Sequence, residues 1–296
     1  MVIKQLAYLV ALAREKHFAR AAKACNISQP TLSGAIRALE DELGVPLVER
    51  GHRFTGLTAE GEMILEHAKR ILAEIDTMGQ SLSDVRQGLK GRLRLGAIPT
   101  ALPLVAQITG PFSERYPAVT LTVLSMTSNA IQSAIDNFDI DVGITYLDNE
   151  PLERVVSKPL YNETYVLLTR EDSMLAQRDE IGWREAADLN LCLLTPDMQN
   201  RRILDGIFRS VGKAPVPVME TNSIFNLCSH AAVPGWVSIV PSQLPRFFGI
   251  PSGLKALRLV EPSASRSVGI ILADRQPQSP LAQSLMVISQ PIALDE

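Results

Sequence analysis

Hydrophobic residues recur at helical spacing through the first 43 residues and predict three short helices there. The first covers residues 3–13, with an apolar stripe that starts at Ile3, and the second lies around Phe18–Ala24. The third follows Ser28, a good N-cap, and ends at Gly44, a common C-cap. Two short helices joined by a tight polar turn are typical of a helix-turn-helix, and equally of an ordinary helical hairpin.

In a helix-turn-helix, the second helix enters the major groove of DNA by its N-terminus. The outward residues near that end are Gln29, Thr31, Ser33 and Arg37. Gln and Arg can each make two hydrogen bonds to a base, whereas Ser and Thr can bond bases or phosphates. If the hairpin binds DNA, we expect these four side chains to contact it.

A longer helix is predicted after Thr58, with apolar residues at alternating steps of four and three. They are Ile64, Ala68, Ile71, Ile75, Met78, Leu82 and Val85. A seam of this length favours pairing with the same helix of a second chain, although packing on the chain's own C-terminal domain is an alternative. Gly88 and Gly91 end the helix and predict a hinge.

From residue 92 the pattern changes to strands that alternate with helices, which predicts a parallel α/β unit followed by a similar set. The predicted strands are 92–97, 119–124, 141–145, 165–168, 191–194, 216–219, 237–240 and 268–272. The predicted helices are 102–115, 128–138, 183–187, 198–211 and 224–232, with a last one beginning near Ser279.

Small hydroxyl residues follow three of these strands, at Thr100, Thr127–Ser128 and Thr145. Open α/β sheets bind ligands beyond the C-terminal ends of their strands. Thr100 and Ser128 also lie at helix N-termini, which favour anions. Each hydroxyl is equally well explained as an N-cap. Three at one rim favour a ligand site.

Charge is unevenly distributed along the 296 residues, whose net charge is −3. Residues 1–58 carry eight Lys and Arg but five Asp and Glu, so a cationic head precedes an anionic body. That asymmetry fits a head that meets phosphates. The length predicts two or three domains. No apolar run approaches the roughly 20 residues that span a bilayer, so we predict a cytoplasmic protein without a membrane partner.

Catalytic and metal-binding motifs are not apparent. The sequence has no GxSxG, P-loop, GxGxxG or HExxH motif, and Cys25, Cys192 and Cys228 fit neither a disulfide framework nor a zinc site. His230 has no orienting carboxylate nearby in sequence. We therefore predict no enzymatic activity, no cofactor and no metal. A solute-binding protein, or an enzyme with an added N-terminal domain, is the opposing hypothesis, against which the helix-turn-helix argues.

The segment 18–61 resembles the signature of LysR-type transcriptional regulators. The matching positions are Ala21, Ala22, Ser28, Gln29, Pro30, Leu32, Ser33, Ile36, Leu39, Glu40, Leu43, Gly44, Leu47, Arg50, Arg53, Leu57, Thr58 and Gly61. The resemblance implies a winged helix-turn-helix with its wing near 45–57, where Arg50 and Arg53 would reach phosphates or a minor groove. Gly34 and Thr55 depart from the family pattern. Gly34 leaves the operator sequence open.

The C-terminal part resembles the family's effector domain at GRLRLGAIPT, FSERYP, DVGI and PGWVSIVP. The resemblance implies a fold like that of periplasmic binding proteins, with a ligand cleft between two α/β lobes. The expected domains are 1–58 (head), 59–90 (linker helix) and 91–296, with lobe one at 92–161 and 269–296 and lobe two at 162–268. The expected cleft residues are Thr100, Ala101, Thr127, Ser128, Gln199, Arg202, Asn222 and Phe225.

The same resemblance implies partners. Linker helices of the family pair, so we expect a homodimer or homotetramer that binds double-stranded promoter DNA and contacts RNA polymerase. The helix N-termini and hydroxyls favour a small anion as the effector. Arg202 could pair with a carboxylate of that effector, although a solvated helix Arg is the alternative.

Overall fold

The computed structural model describes residues 1–49 and 54–292, apart from the side chains of residues 83–87. The chain divides into two compact units, one made of Met1–Gly88 with Asp136–Asp139 and the other of Leu89–Ile135 with Ile140–Glu296. In the part of the chain that is described, no helix combines the length and apolarity needed to cross a bilayer.

The first unit contains the three predicted short helices, which the structure confirms. They are α1 (Ile3–Glu15), α2 (Phe18–Ala24) and α3 (Gln29–Leu43). Ser28 caps α3 by accepting a hydrogen bond from the Thr31 N–H at 3.3 Å, and Gly44 ends the helix in the left-handed conformation. Ile3 was expected in the apolar stripe but is 55% exposed at the first position of α1.

The head core joins these helices to the start of a long fourth helix, α4 (Ala59–Gln87). Leu9, Leu32 and Leu39 are fully buried in it. A Cβ atom added at Gly61 of α4 would lie 2.1 Å from the backbone oxygen of Leu47. Only glycine lets α4 approach the preceding segment this closely.

The predicted heptad seam of α4 has two parts. Ile64 and Ala68 pack in the head core of their own chain. Further along, Ile71, Met78 and Leu82 are exposed, Met78 by 60% and Leu82 by 61%. The side chain of Val85 lies outside the described residues. The seam therefore stabilises the head at one end and leaves apolar surface at the other.

The second unit holds two mixed sheets. The first has the strand order β2-β1-β3-β11-β4. Its strands are β1 (Gly91–Ala97), β2 (Val119–Ser125), β3 (Val142–Tyr146), β4 (Val155–Glu163) and β11 (Arg266–Ala273). Its helices are α5 (Leu102–Arg115), α6 (Ser128–Asp136) and α11 (Pro280–Ile288). We call this part lobe one.

Lobe two contains the second sheet, with the order β6-β10-β5-β9-β7-β8. The strands are β5 (Tyr165–Arg170), β6 (Glu180–Gly182), β7 (Asn190–Leu194), β8 (Met219–Thr221), β9 (Trp236–Pro241) and β10 (Leu254–Val260). The helices are α7 (Trp183–Ala186), α8 (Gln199–Ser210), α9 (Ile224–His230) and α10 (Gln243–Phe248), with a short 3-10 helix at Met174–Gln177.

The predicted parallel arrangement holds for β1, β2 and β3 in lobe one and for β7, β8 and β9 in lobe two, but not for the whole sheets. β11 runs antiparallel to both β3 and β4, and β5 runs antiparallel to β9 and β10. Strands β4, β6 and β10 and helix α10 were not predicted. The strand expected at 216–219 is found at 219–221, because Pro215 and Pro217 have no N–H to donate to a neighbouring strand.

Two crossings join the lobes and share one hydrophobic core. The chain passes from β4 to β5 at Thr164, and returns between Val260 and Arg266. Buried side chains of both sheets, such as Ile144 in lobe one and Leu167 in lobe two, belong to one cluster. The last residue of β4, Glu163, is thereby placed in the interior where the lobes meet.

Candidate DNA-binding face and effector cavity

The N-terminal half of α3 presents polar side chains on the surface of the first unit. Gln29, Thr31 and Arg37 are exposed, and Ser33 is half-buried. Gln29, Ser33 and Arg37 line one open groove together with Phe18. Gln29 and Arg37 are therefore accessible to a ligand in this groove.

The residues at the beginning of α3 cap the helix and are also exposed on its surface. The Ser28 hydroxyl lies 2.8 Å from that of Thr31, and Pro30 is exposed in the first turn. Gly34 lies on the exposed side of α3, and a Cβ atom built there would have no neighbour within 4 Å. A larger side chain at this position would therefore fit without any rearrangement.

The segment after α3 is held to that helix by Glu40. Its carboxylate accepts hydrogen bonds from the N–H groups of Leu47, at 2.8 Å, and Val48, at 3.0 Å. Val48 and Leu57 form an antiparallel bridge at the base of the expected wing. Arg50 and Arg53 lie outside the described residues. This role of Glu40 has no local signal in the sequence, since its partners are backbone N–H groups seven and eight residues away.

In the second unit, a small buried cavity lies between the lobes. Lobe one contributes Ile98, Pro99, Thr100, Thr127, Ser128 and Tyr146, and lobe two contributes Leu194, Met198, Gln199 and Asn200. Its volume of about 10 Å³ leaves room for roughly one water molecule. Thr100, Ser128, Gln199 and Asn200 are each less than 9% exposed. A larger ligand requires the lobes to separate.

Two helices begin at this cavity, one from each lobe. Helix α6 starts at Ser128 and helix α8 at Gln199, and both of these residues line the cavity. The Thr127 hydroxyl accepts a hydrogen bond from the Ala130 N–H at 3.2 Å and thereby caps α6. The first N–H groups of a helix have no partner within it and carry partial positive charge, so both walls of the cavity favour a negative ligand.

Behind the cavity lies the buried carboxyl of Glu163. The Tyr146 hydroxyl donates to its Oε1 at 2.5 Å, and Gln243 Nε2 donates to its Oε2 at 2.9 Å. Asn200 Nδ2 donates to the Tyr146 oxygen at 3.0 Å and lies 3.4 Å from Glu163 Oε1. Burial raises the pKa of Glu163 to about 7, although the hydrogen bonds it accepts oppose that rise.

Tyr146, Asn200, Glu163 and Gln243 were not among the residues predicted from the sequence. The sequence instead suggested Thr145, whose buried hydroxyl has no hydrogen-bond partner among the described residues and does not line the cavity. Side chains alternate along a strand, so the next residue, Tyr146, faces the cavity instead. The strand that carries Glu163 was itself not predicted.

Arg202 connects the lobes beside the cavity. Its guanidinium holds the Glu150 carboxylate of lobe one through hydrogen bonds of 2.6 and 2.8 Å, and donates to the backbone oxygens of Pro196 and Asp197. It also lies 3.4 Å from the Ser128 hydroxyl. The carboxylate that Arg202 binds in this structure therefore belongs to the chain itself.

The remaining expected cleft residues lie elsewhere. Asn222 and Phe225 line a separate open pocket of about 390 Å³ with Leu102 and Phe248. Phe225 is 65% exposed. Ala101 is buried in the hydrophobic core and lines neither cavity.

None of the three cysteines lines the buried cavity. Cys192 is buried on β7, Cys228 lies in α9 and Cys25 in the head. Burial is the main cause that raises the pKa of each thiol. A raised pKa lowers the fraction of reactive thiolate at neutral pH.

Comparison with known proteins gives two family matches and close full-length relatives. Residues 3–62 match the bacterial regulatory helix-turn-helix protein of the lysR family, and residues 86–289 match the LysR substrate binding domain. The hydrogen peroxide-inducible genes activator of Dickeya chrysanthemi is 30% identical over 282 residues, which cover 95% of this chain and 91% of that protein.

Two solved structures have the same architecture. A full-length OxyR variant from Pseudomonas aeruginosa covers 100% of both chains with a TM-score of 0.77 at 25% identity. CbnR in complex with its target DNA covers 98% of this chain and 99% of its own, with a TM-score of 0.70 at 21% identity. These matches confirm the predicted fold, a helix-turn-helix head followed by a two-lobed α/β domain.

Proposed function

This chain belongs to the LysR family of DNA-binding transcriptional regulators, which are not enzymes, and we propose that a small anion between its lobes controls its action on promoters. The observation that carries this proposal is the meeting of two helix N-termini, α6 and α8, at one buried cavity. Opposed positive helix ends favour an anion that both lobes can bind at once.

For the head, we propose that Gln29, Ser33 and Arg37 contact bases from the major groove. All three line one groove, and Gln29 and Arg37 are exposed there, which supports this assignment. Ser28, Pro30 and Thr31 would set the start of the helix against the phosphate backbone. Arg50 and Arg53 are included on the family resemblance. Contact with RNA polymerase belongs to the same proposal.

We further propose a homodimer or homotetramer built on the linker helix, with the domain bounds given above (1–58, 59–90 and 91–296). The exposed apolar residues Ile71, Met78 and Leu82 support pairing of α4 with a second copy. A symmetric pair of heads matches a two-fold operator.

For the effector, the candidate contacts are Thr100, Thr127, Ser128 and Gln199, which line the buried cavity. The anion would favour the lobe arrangement in which both helix ends face it, and so shift the equilibrium between two states of the dimer. We retain Ala101, Asn222 and Phe225 as secondary candidates on the family resemblance alone, and Arg202 also because it connects the lobes beside the cavity.

A response to peroxide is the second candidate, because the relative from Dickeya chrysanthemi is described as a hydrogen peroxide-inducible activator. Thiol oxidation is the usual chemistry of such a response, and it starts from the thiolate. Burial raises the pKa of Cys25, Cys192 and Cys228, and none of them lines the cavity. These facts favour reversible binding of an effector over oxidation of a thiol.

A thermal-shift screen of the full chain with small carboxylates and inorganic oxyanions tests the proposal, because a cavity ligand stabilises the folded state. We expect a stabilising anion whose effect is reduced in Thr100→Val and Ser128→Ala. An effect that is unchanged in both variants would exclude this cavity. Stabilisation by peroxide that is lost on replacing the three cysteines by Ser would favour the second candidate.

A further inference from the structure

The cavity between the lobes is next to a carboxyl group that would repel the anion proposed as effector. Tyr146 and Asn200 line the cavity, and both are hydrogen-bonded to Glu163. Among the described residues that line the cavity, none carries a positive charge, and the guanidinium of Arg202 beside it is already paired with Glu150. An anion inside would therefore stand one side chain away from an ionised Glu163, in an interior where charges interact strongly.

Protonation of Glu163 removes this repulsion and has a second effect through Tyr146. When Glu163 is ionised, the single O–H of Tyr146 points to Glu163 Oε1 at 2.5 Å and cannot serve a ligand. A protonated Glu163 can donate its own proton to the Tyr146 oxygen. The Tyr146 hydroxyl is then free to turn toward Thr100, 3.3 Å away, and toward the cavity.

We propose that Glu163 takes up a proton from solvent when a small anion enters the cavity, and that this proton converts Tyr146 from a donor to Glu163 into a donor to the anion. The proposal rests on the small-anion effector inferred above. It makes Glu163 a positioning residue, which acts through Tyr146 and does not itself touch the ligand. Effector binding is then coupled to pH.

Of the titratable groups that surround this carboxyl, Glu163 itself is the one suited to take up the proton. Tyr146 faces it from β3, Tyr161 from its own strand and Tyr165 from β5, and burial raises the pKa of all three well above the usual range, so they stay neutral. Arg266 on β11 is the backbone register partner of Glu163 on β4. Burial brings the pKa of Glu163 to about 7, so that its proton exchanges near neutrality.

Formate and formamide are suitable probes, since they have nearly the same size but only formate is charged. Binding of each to the full chain is measured by calorimetry at about pH 6 and about pH 8 and at constant ionic strength. We expect the affinity for formate to fall by up to tenfold per pH unit above neutrality, as required for uptake of one proton, and that for formamide to stay constant.

Two variants separate the proposed relay from a structural role. In Glu163→Gln the amide mimics the protonated acid, so formate should bind at about pH 8 as tightly as it binds wild type at about pH 6, without pH dependence. In Tyr146→Phe formate should bind weakly at both pH values. If Glu163→Gln does not fold, calorimetry of wild type in buffers of different protonation enthalpy counts the protons directly.

The outcomes distinguish the two proposals. If formate binds wild type, binds Thr100→Val more weakly and causes no proton uptake, the inference about Glu163 is overturned while the small-anion effector stands. A pH dependence that persists in Glu163→Gln also overturns it, because another group would then be responsible. No binding of formate to wild type or Glu163→Gln at either pH overturns the small-anion effector, and this inference with it.

Discussion

Arg202 of helix α8 donates two hydrogen bonds, of 2.6 and 2.8 Å, to the Glu150 carboxylate of lobe one, and so connects the lobes beside the cavity. Each side chain is 30% exposed, so water screens the pair and its direct contribution to stability is small. Its geometry matters more, since a bidentate pair fixes orientation.

Loss of this pair should therefore change regulation more than stability. Glu150→Gln removes the charge but keeps the size, and we expect a changed effector response with a melting temperature within a few degrees of wild type. Transcription from a target promoter with and without effector is the measurement. Asp172→Asn, which removes an exposed Arg170 pair within lobe two, is the matched control. Equal responses of the two variants would show that the Arg202 pair has no special role.

A residue of this site can be predicted from sequence when its role depends on neighbours close in sequence, and not when it depends on contacts with distant segments. Thr100, Thr127 and Ser128 were identified because strand ends and helix caps leave local patterns. Glu163 was not, because its surroundings depend on long-range order. Strand β11 inserts between β3 and β4, and Gln243 approaches from 80 residues away. A single sequence contains no local signal for either event.

The head was predictable for the same reason. Ser28 and Gly44 mark both ends of α3 with local signals, and the structure places them as expected. The exception is the close approach at Gly61, which depends on where Leu47 lies against α4. From sequence alone, a glycine inside a helix only lowers helix propensity. The reason for Gly61 is apparent only when the neighbouring Leu47 oxygen is seen.

Gly61→Ala should destabilise the head strongly. The added Cβ atom would lie 2.1 Å from the Leu47 oxygen, so the backbone must shift, at a cost of about 1–3 kcal/mol or more. Gly79→Ala in the same helix is the control, because its Cβ meets nothing within 4 Å and should stabilise by about 0.5–1 kcal/mol. Urea unfolding of both variants measures the difference. Similar effects of the two would refute the role given to Gly61.

Gly34→Arg should strengthen DNA binding by the head. Position 34 lies on the exposed side of α3 and has free space, so Arg can reach a phosphate or base without a clash. We expect tighter binding, with a logarithmic salt slope that steepens by about 1. Titrations of one promoter fragment at several salt concentrations measure this slope. Gly34→Ala, which alters helix propensity alone, should leave the slope unchanged, and a slope that is also unchanged in Gly34→Arg would place residue 34 away from DNA.

Leu82→Lys should weaken self-association through α4. Leu82 is 61% exposed, and in the proposed pairing it would be buried against a second copy, where a lysine ammonium is costly. Sedimentation over a range of concentrations should show more monomer than wild type. Ser81→Lys adds the same charge at the neighbouring exposed position, off the seam, and should associate normally. Equal weakening by both substitutions would point to a general charge effect rather than to the seam.

Glu163 should make stability depend on pH in a defined direction. Burial raises its pKa in the folded state to about 7, above the ordinary value of 4.5 that applies to the unfolded chain. The folded chain therefore holds its proton more firmly, and this contribution is complete below about pH 4.5 and is lost as the pH rises through about 7. This difference between the two pKa values corresponds to roughly 3 kcal/mol in the free energy of unfolding. Glu163→Gln lacks the titration, so the stability of wild type minus that of the variant should fall across this window. Urea midpoints of both proteins at several pH values measure it, and a constant difference would mean that Glu163 keeps an ordinary pKa in the folded protein.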